Sequence, residues 1–152
     1  MKKEFSKLPL RKGVGIVLLN NENKVFVAKR IDNPKNFWQM PQGGVDQNEN
    51  YLKAAFRELK EETSIESVDL IKEIDDMTTY ELPDNLLGII WKGKYRGQKQ
   101  KWFLMKFKGK DNEINLNTIH PEFLDWKWID INKITDLVVK FKLDVYKKIQ
   151  EE

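Results

Sequence analysis

The amino-acid sequence predicts a mixed α/β domain in which helices cover a sheet. Three observations carry that prediction: short apolar runs joined by polar turn residues near the N-terminus, one helical apolar stripe in the middle of the chain, and a second stripe near its end. With 152 residues, 40% of them hydrophobic, the chain is long enough to bury most of its apolar surface in one core. No internal repeat, low-complexity segment or linker divides it, so residues 1–152 are expected to form a single domain.

Val14 to Leu19 and Val25 to Ala28, separated by Asn20, Asn21, Glu22 and Asn23, read as a β-hairpin closed by polar turn residues. Trp38 to Val45 contains Pro41, Gly43 and Gly44 and is expected to be extended. Leu52, Ala55, Phe56 and Leu59 recur at helical spacing, which predicts a helix from about Tyr51 to Thr63. Val68 to Ile74, Thr78 to Leu82 and Trp102 to Phe107 read as strands, the pairing between them being open. Ile134, Leu137, Val138, Phe141, Val145 and Ile149 predict a C-terminal amphipathic helix.

Composition narrows the chemistry. Cysteine is absent, which excludes disulfides, thiolate metal sites and cysteine nucleophiles. The lone histidine, His120, excludes a multi-histidine zinc centre and is read as a loop residue. Any metal must then be held by oxygen, which points to hard cations such as Mg2+ or Mn2+. The apolar runs are too short to span a bilayer, and the basic start MKKEFSKLPLRKG is not followed by a signal-peptide core, so a soluble, cytoplasmic protein is expected. A net charge of +3 implies no strong overall attraction to nucleic acid, and neither DNA nor a membrane is expected as a partner. Distribution says more. Eight basic residues and no acid lie between Lys92 and Lys110, whereas acids concentrate from Glu58 to Asp76, a segregation suited to an anionic ligand beside a cation site.

The segment Gly43 to Ile65, GGVDQNENYLKAAFRELKEETSI, joins periodicity to chemistry. Glu58, Glu61 and Glu62 stand at i, i+3 and i+4, so they share a helix face, with the apolar stripe about a quarter-turn or more away. The stripe is expected to dock the helix and leave the carboxylates projecting. Their mutual repulsion costs a few tenths of a kcal/mol per pair, and a cation would convert it into coordination. Glu49, in the preceding loop, could join from another direction. Three acids at such spacing also describe an ordinary solvated helix face.

The whole pattern, Gly43, five residues, Glu49, seven residues and then Arg57-Glu58-Leu59-Lys60-Glu61-Glu62-Thr63-Ser64-Ile65, resembles the signature of the Nudix hydrolase superfamily. That resemblance implies an α/β/α sandwich with a mixed β-sheet and Mg2+-dependent hydrolysis of a nucleoside diphosphate linked to another group. Ser64 departs from the pattern, which has glycine there. A non-glycine residue in the left-handed conformation common at that position costs roughly 1 kcal/mol, so Ser64→Gly is expected to raise the melting temperature slightly.

WQMPQGGVD, GQKQKWF at Gly97 to Phe103, PEFLDWKW at Pro121 to Trp128 and VVKFKLDVYKKI at Val138 to Ile149 further resemble a bacterial subgroup of that superfamily. Its members act on 5′-triphosphorylated or diphosphorylated RNA or on dinucleoside polyphosphates, and the resemblance does not separate the two. It implies metal binding by Glu58, Glu61, Glu62 and Glu122, with Arg57 orienting a carboxylate through a salt bridge and either Glu58 or Glu122 polarising the attacking water. Without it, Glu122 reads as a loop acid, and Arg57 with Glu61 as a weak i, i+4 ion pair. Arg11 and Arg30 are implied phosphate or base contacts, and Val139 and Phe141 are implied to flank a nucleobase, although Phe141 also fits a core stripe. Lys99 and Lys101 can neutralise phosphate, Gln98 and Gln100 add hydrogen-bonding groups, and Trp102 reads as a core aromatic. Of four arginines among 23 lysines, Arg96 reads as solvated. A monomer is the expected state.

Overall fold

A computed structural model describes residues 8–31, 38–74, 78–81, 94–118 and 121–130. Strands β1 (Leu10–Leu19) and β2 (Val25–Arg30) flank the predicted turn, where the Asn20 side-chain oxygen accepts from the backbone N–H groups of Glu22 and Lys24. That Asx geometry explains the polar turn residues. Strand β3 (Gln42–Gly44) follows, then helix α1 (Tyr51–Thr63), which has the bounds its periodicity predicts. Asn50 caps it by accepting from the Lys53 N–H at 2.8 Å, an arrangement worth about 1 kcal/mol. Strands β4 (Val68–Glu73), β5 (Thr78–Glu81), β6 (Gly97–Phe107) and β7 (Phe123–Ile129) complete the sheet, with a 3-10 turn at Asp111–Glu113.

The seven strands form one mixed sheet in the order β4-β6-β1-β2-β7, with β3 beside β1 and β5 beside β6. β1 and β6 pair in parallel over ten residues, and the other pairs are antiparallel. β1 therefore turns into β2 and yet spends most of its length against β6. One face carries Val14, Ile16, Leu18, Phe26, Phe103, Met105 and Phe107 and packs on Ala54, Ala55 and Leu59 of α1, which is the main core. The opposite face is also closed: Trp102, buried, lies over Gly15 and donates its indole N–H to Thr78 at 2.7 Å, in keeping with its reading as a core aromatic.

Three strands differ from expectation, β1 by beginning at Leu10, four residues before Val14. β6 begins five residues before Trp102, because Gln98 and Gln100, polar though they are, lie buried between β1 and β5. β7 was not predicted as a strand. Its signal is the aromatic alternation of Trp126 and Trp128, which pack around Phe26 at 5.8 and 5.6 Å between centroids. The C-terminal helix, His120, Val139 and Phe141 lie outside the described residues. Among the described residues no helix is long and apolar enough to cross a membrane.

Candidate active site

Helix α1 carries the site, and its docking differs from the predicted stripe. Ala54, Ala55 and Leu59 are buried, whereas Phe56 is 38% exposed at the margin. Glu62, three residues after Leu59 and seven after Ala55, is drawn onto the docked face and is only 3% exposed. The expectation that all three helix carboxylates project into solvent is therefore corrected. Glu61 projects, with 58% of its side chain exposed, and Glu58 is mostly covered at 14%.

Arg57 organises the loop before the helix. Its Nε donates to Glu49 Oε2 at 2.8 Å and its Nη2 to Glu49 Oε1 at 2.9 Å, a two-pronged pair. Nη2 also donates to the Gly44 carbonyl at 2.9 Å, and Nη1 reaches Glu58 at 2.9 Å and Glu61 at 3.1 Å. The guanidinium hydrogen bonds, with the Asp46 N–H donating to the carboxylate at 3.0 Å, hold Glu49 far below the usual carboxylate range, at about 2. Asp46 Oδ2 stands 3.5 Å from Arg57 as well, a participant the sequence reasoning missed, although its place three residues before Glu49 suits a loop-closing contact. The i, i+4 pair with Glu61 is real, but it is one branch of a larger network.

Glu58 and Glu62 lie in the opposite electrostatic condition. Burial is the chief cause that pushes Glu58 upward, with Glu61 and Glu122 adding repulsion against the pull of Arg57. Glu62 is raised further, by burial first and then by Glu122 and Glu58, while Arg30 opposes weakly. The β2–β7 pairing sets Arg30 opposite Phe123, and Ile31 N–H donates to the Glu122 carbonyl at 2.9 Å, which brings Glu122 to Glu62 although the two are 60 residues apart.

The donor set suits a hard cation. Glu62 Oε2 is buried with no hydrogen-bond partner, and Glu122 and Glu58 add negative charge to its surroundings, so the site needs a proton or a cation for balance. Among the described residues no three Asp, Glu or His side chains stand close enough together to hold a metal ion as they are placed. The arrangement is thus a pair of converging acids with Glu58 beside them.

Strand β3 separates this cluster from the other sheet face. A side chain at Gly43 would collide with the Glu58 carboxylate, and one at Gly44 with the Arg11 guanidinium. Arg11 pairs in register with Gln98, whose amide lies against Gly13, and Gln100 donates to Gln42 at 2.8 Å. These side chains occupy the face away from α1. Lys101, aligned with Val14, is on the α1 face and pairs with Glu73 at 3.2 Å; Lys99 is exposed beside Lys12. The structure therefore divides the predicted phosphate and base contacts between two faces rather than gathering them.

Residues 9–149 match the NUDIX domain family. The chain is 72% identical over 145 residues to an RNA pyrophosphohydrolase of Pelagibacter ubique, covering 95% of this chain and 92% of that one. It is 47% identical over 151 residues to an RNA pyrophosphohydrolase of Sphingopyxis alaskensis, covering 98% and 96%. Among solved structures it resembles the E. coli dihydroneopterin triphosphate pyrophosphohydrolase, with a TM-score of 0.72 at 23% identity over 95% of this chain and 99% of that one. A C. elegans Ap4A hydrolase superposes with a TM-score of 0.67 at 23% identity over 93% and 96%.

Proposed function

The chain belongs to the NUDIX family, and from that membership we propose that it is an RNA 5′-pyrophosphohydrolase, converting 5′-triphosphorylated or diphosphorylated RNA ends to 5′-monophosphorylated ones. The observation that carries the substrate class is the 72% identity, over nearly the whole of both chains, to an RNA pyrophosphohydrolase. The fold is the α/β/α sandwich of the family, here as a mixed sheet with α1 on one face. We take residues 1–152 as one domain. A 5′-monophosphate end exposes RNA to further degradation, so the activity would start RNA decay, and we assign the enzyme to the cytoplasm.

We assign the cation to Glu58, Glu61, Glu62 and Glu122, with Mg2+ preferred and Mn2+ able to replace it; when bound, it neutralises phosphate oxygens and lowers the pKa of the attacking water. The protein's own groups do the rest. Arg57 fixes the Glu58 carboxylate, and Glu58 or Glu122 accepts the proton of the water that adds to phosphorus as the anhydride P–O bond breaks. On the α1 face Arg30, beside Glu62, would meet phosphate or base together with Lys99 and Lys101, the last exchanging Glu73 for phosphate, while Arg11 and Gln98 would do so beyond β3. Val139 and Phe141 would flank the first nucleobase, a contact worth about 1 to 3 kcal/mol if it includes stacking.

A hydrolase of free dinucleoside polyphosphates would use the same acids, but the likeness to the Ap4A hydrolase is one of fold alone. Purified protein with Mg2+, given 5′-triphosphorylated RNA and diadenosine pentaphosphate at matched concentrations, separates the two. The expected outcome is the higher kcat/KM on RNA; preference for the dinucleotide overturns the RNA reading, and binding of RNA without hydrolysis would make the protein a binding module.

A further inference from the structure

The helix arm of the site ends on one short segment, which also reaches β7, the strand that follows Glu122. Immediately after Glu62, five hydrogen bonds join residues 63–67 to residues 113–115. Asn115 N–H donates to the Thr63 carbonyl at 2.9 Å, and the Ser64 hydroxyl donates back to the Asn115 carbonyl at 2.9 Å. The Glu113 carboxylate accepts from the N–H groups of Glu66 and Ser67 at 2.8 and 2.9 Å and from the Ser67 hydroxyl at 2.7 Å. Ile114, between these two anchors, is sunk into the core. At the other end of the same segment, Asp111 accepts from the Trp128 indole N–H at 3.2 Å. Trp128 lies on β7, the strand that directly follows Glu122, and it stacks on Phe107 at 5.8 Å between centroids.

We propose that residues 111–115 are a bracket that sets the spacing between Glu62 and Glu122, with Glu113 its principal positioning residue. The proposal rests on the metal-site reading above. β2–β7 pairing fixes Glu122 relative to the sheet and core packing docks α1 on it, while this segment ties the end of α1 to β7 at Trp128, six residues along the strand from Glu122: Glu113 gathers the donors that follow the helix and Asp111 holds the strand. Glu113 touches neither the carboxylates nor substrate. Its loss would let the helix end shift while the fold persists, and converging oxygen ligands are sensitive to such shifts.

The test uses Mn2+ as the probe, with binding followed by electron paramagnetic resonance on the full chain, so that no turnover is needed. Glu113→Ala is expected to weaken Mn2+ binding by about 10-fold, the scale seen when groups supporting metal ligands are lost. Glu113→Gln, which keeps an oxygen for the two N–H groups, is expected to fall between that variant and wild type and serves where the alanine variant folds poorly. Val17→Ala, which hollows the opposite sheet face, is the control and is expected to lower the melting temperature without changing Mn2+ affinity. Unchanged affinity in both Glu113 variants overturns the bracket, as does an equal loss in Val17→Ala. A wild-type protein that binds no Mn2+ overturns both the bracket and the metal assignment; one that binds Mn2+ with the expected Glu113 dependence but leaves RNA intact overturns only the RNA activity.

Discussion

Glu49 and Glu62 are carboxylates within one signature segment, yet their surroundings act on them in opposite directions. Glu49 receives two guanidinium bonds and a backbone N–H, and is held near 2. Glu62, buried beside Glu58 and Glu122, is pushed well above the usual range. The first is compensated by the protein itself and so is structural. The second leaves a negative site whose balance must come from outside, either a proton or a cation. A residue's place in a motif therefore does not reveal its role; the positive charge that the fold supplies does.

The sharpest way to break the contrast is Glu62→Gln. If Glu62 holds the cation as proposed, removing its oxygen and charge is expected to lower kcat/KM for RNA by roughly 100-fold or more, since several kcal/mol of transition-state stabilisation would depend on it. The same change should make the metal-free protein more stable at neutral pH. Because the folded pKa of Glu62 lies above its unfolded value of 4.5, the folded state holds a proton that the unfolded state has lost, and stability falls as pH rises from about 4.5 through the raised value. Calorimetry of metal-free protein should show that decline in wild type and a flatter limb in Glu62→Gln; an unchanged limb would contradict the assignment.

Arg57→Lys tests the compensated side. A lysine cannot reproduce the two-pronged contact with Glu49 and the branches to Gly44 and Glu58, so about 1.5 to 3 kcal/mol of stability is expected to go, or roughly 5 °C in melting temperature. Here the sign reverses. Glu49, depressed from 4.5 to about 2, contributes stability that is present above 4.5 and is lost as pH falls through 2; the variant should lose much of that acid-side dependence.

Ser64→Gly gives the smallest effect and corrects a simple expectation. Ser64 is left-handed at φ 66°, as its place after the helix predicts, and glycine would relieve roughly 1 kcal/mol. Its hydroxyl, however, bonds to Asn115, and such a bond is worth about 0.5 to 1.5 kcal/mol. The two terms nearly cancel, so a melting-temperature change of only about 2 °C in either direction is expected.

Local pattern made much of this legible. The bounds of α1, the Asn20 turn and the buried Trp102 follow from spacing and residue type, because neighbours in sequence decide them. The position of Glu62 did not follow, since an acid at the edge of an apolar stripe goes inward or outward according to what the sheet places opposite it. Glu122 could be identified only by resemblance, because a strand pairing 60 residues away brings it to Glu62. Lys101 illustrates the same limit. The run GQKQK reveals alternation, but which parity faces α1 is set by its register with Val14.

The two glycines of β3 have a consequence for how the enzyme can vary. Glu58 packs against Gly43 on one face of the strand and Arg11 against Gly44 on the other, so an acid and a base each occupy the place where a side chain of β3 would stand. A methyl group on the first would dislodge an acid, and on the second a base. Two glycine codons thus keep room for two opposite charges, and a Cβ at either position would displace the one that occupies it.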